Sequence, residues 1–129
     1  MNYLEGDYHL IGDTASVDTK FLEDTKIDET KRWVIIAPNG AKESCLLLAK
    51  AANEKQLACI GNQTGGRVGF FLFTDDFNRD YDKLVNREVT FVRPPKKEPY
   101  GIVAVFQDLY GNLWDLLEPN ENNKGVISF

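Results

Sequence analysis

Histidine and cysteine are scarce in this 129-residue chain, which contains one His and two Cys. A catalytic triad needs a histidine beside its nucleophile, and His9 lies in a segment with no sustained strand or helix pattern, which argues against a triad. Cys45 and Cys59 are too few for a disulfide framework. Because the N-terminus shows no export signal, we expect both thiols to be reduced and the protein to be cytoplasmic.

Long apolar runs and an excess of positive charge are also missing. No run approaches the roughly 18 residues that a membrane span requires. The 15 Lys and Arg residues are outnumbered by 20 Asp and Glu residues, so the formal net charge is −5. An acidic chain is a poor partner for nucleic-acid phosphates or for an anionic membrane. The glycines at 61, 65 and 66 do not precede the Gly-Lys-Ser/Thr of a phosphate-binding loop.

The chain is long enough, and with 43% hydrophobic residues apolar enough, to bury the core of one domain, residues 1–129. In its first half, residues 20–27, 32–37 and 44–49 are predicted strands of an antiparallel run, with Asn39-Gly40 as a turn. Cys45 is expected half-buried in the third strand. A short helix follows, with Asn53 and Gln56 in a capping-box spacing and Gly61 at its end.

The second half predicts the order β-α-β-β-β. Strands are expected at 67–73, at 88–92 where Pro94-Pro95 end the strand, at 100–107 and at 113–117. Asp75 and Asp76 can cap the helix between the first two strands, and its apolar stripe is Phe77, Tyr81, Leu84 and Val85. Lys96-Lys97 are expected in an exposed loop. The polar tail covers residues 120–129.

The two halves suggest two related modules. The second spans about residues 67–119, whereas the first, about residues 1–60, supplies only three clear strands. A leading strand and helix would have to come from residues 1–19, which are poorly patterned. We therefore expect the first module to be shortened or rebuilt at its N-terminus.

A motif near the C-terminus resembles a known family. It is a strand, an Asp-x-x-Gly-Asn turn and a closing strand, carried by Asp108, Gly111, Asn112, Trp114, Asp115 and Leu116. Together with Arg32-Trp33-Val34 and the Pro-Asn-Gly turn, it resembles the glyoxalase / bleomycin-resistance / dioxygenase superfamily, also called vicinal oxygen chelate. The resemblance covers about residues 20–119. It implies an α+β fold of paired βαβββ modules forming a cupped mixed sheet, and a homodimer, because many members are dimers.

Metal-dependent members of that family hold one divalent ion in the cup with His and Glu side chains, whereas others bind a drug without metal. By resemblance, the metal-ligand positions fall on Gly69, near Cys45 and on Asp115, and His9 cannot be aligned. A stable divalent site needs three or four protein ligands. We therefore expect no metal and no cofactor.

Strand alternation selects the side chains that would line the cup. The candidate ligand-binding residues are Asp115, Phe71, Phe73, Cys45, Leu47, Trp33, Leu113 and Leu117. A mostly apolar cavity with one acid is typical of a small-molecule site. Alternatively, these side chains fill the cup as a core, and Asp115 merely hydrogen-bonds the backbone or an arginine.

Three functions remain open. The first is a metal-independent protein that binds a small, partly aromatic or cationic molecule. The second is a divalent-metal-dependent lyase or dioxygenase-type enzyme with a non-standard site made of Asp115, Cys45 and His9. The third is a dimeric interaction module with a filled cavity. A homodimer is expected because a first module without its own strand and helix leaves a sheet edge and an apolar face uncovered.

Overall fold

The fold is α+β, as expected, with two sheets and two short helices among the residues described. The structure is a computed structural model that describes residues 19–29, 31–38 and 45–122. Its elements are β1 (Thr19–Lys26), β2 (Arg32–Pro38), β3 (Leu46–Leu48), α1 (Glu54–Cys59), β4 (Phe70–Phe73), α2 (Phe77–Asn86), β5 (Thr90–Glu98), β6 (Gly101–Gln107) and β7 (Leu113–Pro119). Neither helix is long and apolar enough to cross a membrane.

The first sheet is antiparallel in the order β1-β2-β3, which confirms the predicted three-strand run. Alternation gives it two unlike faces. Val34, Ile36 and Leu48 form a buried cluster on one face. Trp33 and Leu47 lie on the other face and are exposed. The predicted rebuilding of this module falls on residues that lie outside those described, as does His9.

The second sheet is mixed, in the order β4-β7-β6-β5, with β4 parallel to β7 and the other pairs antiparallel. The β-α-β-β-β order predicted for this half is therefore confirmed. Helix α2 is capped by Asp76, whose side chain accepts a hydrogen bond from the Arg79 backbone N–H. Phe77 and Leu84 of α2 join Phe106 and Trp114 in the main core. The helix thus covers one face of this sheet.

One predicted boundary is wrong. Pro94 and Pro95 do not end the strand, because β5 continues to Glu98 with two register shifts against β6. In the described sheet β5 is an edge strand, where a proline that lacks an N–H need not break the ladder. Lys96 and Lys97 accordingly pair with β6 rather than lying in a loop, although their side chains are exposed.

The backbone at Gly61, just after α1, packs against the turn that precedes β7. The N-terminal cap is as predicted, since Asn53 accepts from the Gln56 backbone N–H at 2.9 Å. Gly61 follows the helix with a φ of 76°, a left-handed conformation that suits glycine. A Cβ at Gly61 would collide with the Tyr110 carbonyl oxygen. The end of the helix and the turn are therefore packed backbone against backbone.

We expect Gly61→Ala to lower the free energy of unfolding by about 3 kcal/mol, because left-handed strain and a backbone clash act together. Gly65→Ala is the matched control. Gly65 also has a positive φ but no atom near the added methyl group, so strain alone, about 1 kcal/mol, is expected. Urea unfolding of both variants measures the difference, and equal losses would show that the contact with Tyr110 contributes nothing.

Candidate functional site

A buried carboxylate organises the turn before β7. Asp108 is only 7% exposed. Its Oδ1 accepts from the backbone N–H groups of Tyr110 and Asn112, both at 2.9 Å. Its Oδ2 accepts from Asn112 Nδ2 and from Trp114 Nε1, both at 3.0 Å. Burying a carboxylate is tolerated only with such donors, so this one side chain fixes both the turn and the indole that follows it.

The position of the Trp114 indole determines which face of the sheet each side chain of β7 occupies. Trp114 lies under α2 and stacks on Phe70, with ring centroids 4.5 Å apart. Successive side chains of a strand point to opposite faces. Asp115 therefore lies on the face away from α2, as the alternation in the sequence predicts.

Cross-strand pairing on that side builds a defined surface, here called the open face. Phe71 pairs with Asp115, Asp115 with Val105, and Val105 with Arg93. Paired residues share a face, so these side chains form a row across all four strands. The next row is Phe73, Leu117, Val103 and Lys96.

The β4 end of the open face is aromatic and accessible. The Phe71 and Phe73 rings lie side by side, with centroids 6.1 Å apart. Phe71 is 58% exposed although it belongs to a strand. Small-molecule sites are lined mostly by hydrophobic and aromatic side chains with a few polar groups.

Asp115 is the acid of the open face. Burial raises the pKa of its carboxyl above the ordinary value, and the positive charge of Arg93 lowers it in part. Within residues 45–122, no hydrogen bond or ion pair reaches this carboxylate. The simple alternative of an aspartate satisfied by neighbouring backbone or by an arginine contact is therefore not what these residues show.

The eight predicted site residues divide between the two sheets. Asp115, Phe71, Phe73, Leu113 and Leu117 come together on the open face. Trp33 and Leu47 lie on the exposed face of the first sheet, and no strand pairing joins them to Asp115. Cys45 precedes β3 and is exposed. The expectation that Cys45 is half-buried within a strand is wrong, because β3 is only three residues long.

A cavity of about 180 Å³ lies on the other side of β7 and was missed from the sequence. It is lined by Leu46, Leu47, Leu48, Ala49, Ala51, Ile60, Gly61, Gln63, Phe70, Tyr110, Asn112 and Trp114. Of the predicted site residues, Leu47 alone is among these. The sequence signal that could have indicated this cavity was the turn of residues 108–112, because Tyr110 and Asn112 form one of its walls.

Comparisons with known proteins support the fold and identify the family. A sequence model described as the Glyoxalase/Bleomycin resistance protein/Dioxygenase superfamily matches residues 13–116. The chain belongs to this superfamily. A protein of Shewanella frigidimarina (strain NCIMB 400), itself uncharacterized, is 54% identical over 101 residues, which are 78% of this chain and 75% of the relative.

Solved structures of other proteins show a similar fold. UcmS2 is 27% identical with a TM-score of 0.72, covering 88% of this chain and 90% of its own. TnmS3, described as an antibiotic binding protein from Streptomyces sp. CB03234, is 29% identical with a TM-score of 0.66, and 88% of each chain is covered.

Metal-dependent members of the superfamily place several donor side chains around one ion, and the described residues do not fit that arrangement. In the described ranges, no three His, Cys, Asp or Glu side chains are grouped so that they could hold an ion. Gly69 carries no donor, and Cys45 lies exposed outside the second sheet. Of the three family ligand positions placed on this chain, only Asp115 therefore offers an oxygen donor.

We expect Asp108→Ala to destabilise the fold by about 3 kcal/mol, because one buried donor and three partly buried donors would lose their acceptor. Asp82→Ala, an exposed change on α2, should shift stability by no more than about 0.5 kcal/mol. Urea unfolding followed by tryptophan fluorescence tests this. A loss at Asp108 no larger than at Asp82 would contradict the role given to the buried carboxylate.

We expect Asp115→Asn to stabilise the protein at neutral pH. The folded state raises this pKa, so the wild type loses stability as pH rises through the folded value, and the amide does not. Because the group is partly exposed, the gain should be small, about 1–3 °C in melting temperature. Thermal melts from pH 7 down to pH 3.5 should show the gain shrinking as the wild-type carboxyl protonates. A constant or negative difference would be inconsistent with burial as the cause.

Proposed function

We propose that this protein binds a small, partly apolar molecule on the open face, without a metal ion, as a homodimer. The observation that carries the proposal is the exposure of Phe71 next to a partly buried acid. Full burial of a side chain of this size is worth about 1.5–3 kcal/mol, and because Phe71 is 58% exposed, roughly half of that remains for a ligand to recover. The acid beside it provides a polar contact that can orient the ligand.

The superfamily relatives support this proposal. TnmS3 is described as an antibiotic binding protein, so a fold of this kind serves in that protein to hold a small molecule. In the present chain the absence of a grouped donor set among the described residues favours binding over Lewis-acid chemistry as the role of the open face.

The homodimer is proposed from the surface of the first sheet. Phe21, Leu22 and Ile27 lie on or next to β1 and are about half exposed, and β1 is an edge strand of the described sheet. An apolar edge of this kind favours pairing with another chain. A second copy would cover this edge.

Native mass spectrometry of protein purified without chelators is the first test. We expect a dimer that carries an organic adduct and no stoichiometric divalent ion, with the single-chain mass restored on denaturation. A monomer without adduct would contradict the proposal, and one divalent ion per chain would replace it with the metal-dependent enzyme.

A pair of variants tests where on the protein the ligand binds. Phe71→Ala should weaken retention of the adduct about ten-fold or more, since an aromatic contact of about 1.5 kcal/mol is removed. Val85→Ala is the control, because Val85 is similarly exposed, at 46%, but lies on α2 at the opposite face. Equal retention in both variants would move the ligand away from the open face.

A further inference from the structure

We propose that the open face selects flat ligands that carry a positively charged hydrogen-bond donor, with Asp115 as the residue that sets this preference. The inference rests on the proposed function, because it takes the open face to be the binding surface. It adds the chemical class of the ligand and the residue that discriminates between ligands.

The pairing register of β4 and β7 indicates where the ring and the charge of such a ligand would lie. Asp115 and Phe71 are paired across adjacent parallel strands, and adjacent strands lie about 4.8 Å apart. A cation at the Asp115 carboxylate therefore has its attached ring over Phe71, with Phe73 next along the same strand. A flat ring with an amino or amidine substituent matches this spacing.

The carboxylate has capacity for such a donor. An ionised aspartate accepts several hydrogen bonds through two oxygens, and no described residue uses that capacity at Asp115. Partial burial without a hydrogen-bonding partner disfavours the charged form of a carboxyl group. A bound cation would relieve that penalty, whereas a bound anion would add repulsion.

Few charged side chains of the described residues face Asp115, so little competes with a ligand cation for its carboxylate. β4 and β6 contribute the uncharged Phe71 and Val105, and β5 contributes Arg93. The strand that carries Arg93 is two strands from β7, so the two backbones are about 10 Å apart at ordinary strand spacing. Lys96, on the neighbouring row, is paired with Glu98 at 2.9 Å. Thus Arg93 acts on Asp115 through its charge, and among the described residues no side chain forms an ion pair with it.

Three flat probes of similar size test the preference. They are 9-aminoacridine, which is cationic at pH 7, the neutral 9-hydroxymethylanthracene and the anionic anthracene-9-carboxylate. Fluorescence titrations of the full chain at low salt should rank them cation, neutral, anion. The cation should bind about three- to ten-fold more tightly than the neutral ring, as expected for a partly exposed ion pair, and added salt should reduce the ratio.

Two variants separate charge from shape. Asp115→Asn should abolish the preference, so that the ratio of cation affinity to neutral affinity falls to about one. Arg93→Gln should increase the preference, because it removes the opposing charge. If the neutral and cationic probes bind wild type equally, the selectivity inference is overturned and the binding function stands. If no probe binds, the open face is not a site for flat ligands and the inference is overturned, whereas the proposed function is decided separately by the native mass spectrum.

Discussion

The buried carboxylate of Asp108 is the constraint on which the second module depends. It takes two backbone N–H groups, one amide and one indole as donors. A charge-assisted hydrogen bond is shorter and stronger than a neutral one, so the turn and the first residues of β7 are held as one unit. The Trp114 ring can then enter the core only in one orientation, under α2 and against Phe70.

That orientation decides where the chemistry of the protein can lie. With Trp114 inward, the pleat places Asp115 outward, and the parallel pairing of β7 with β4 sets Phe71 beside it. The contacts that stabilise the core therefore also position the open face. A one-residue slip of β7 would exchange Trp114 and Asp115, leaving a charge in the core and the indole in water. The core thus enforces the register of the site.

Features encoded by neighbouring residues could be predicted from the sequence. The order of elements in the second half, the cap at Asp76 and the opposite faces of Trp114 and Asp115 follow from local spacing. Features that depend on distant partners could not. Pro94-Pro95 interrupt a strand only if it is central, and the edge position of β5 is decided by the whole sheet. The cavity likewise depends on the approach of Gly61 to Tyr110, residues far apart in sequence.

The position of Asp115 also explains how one fold can serve both metal chemistry and plain binding. By resemblance, the closing-strand acid is a metal ligand when other strands supply further donors. Here Gly69 supplies none, and the described residues hold no grouped donor set. A single carboxylate cannot retain a divalent ion, since such sites need several ligands, but it can pair with one ammonium or amidinium group. On the binding function proposed above, the loss of donors around a fixed acid would change its preferred partner from a metal ion to an organic cation, while the strands that hold it stay the same.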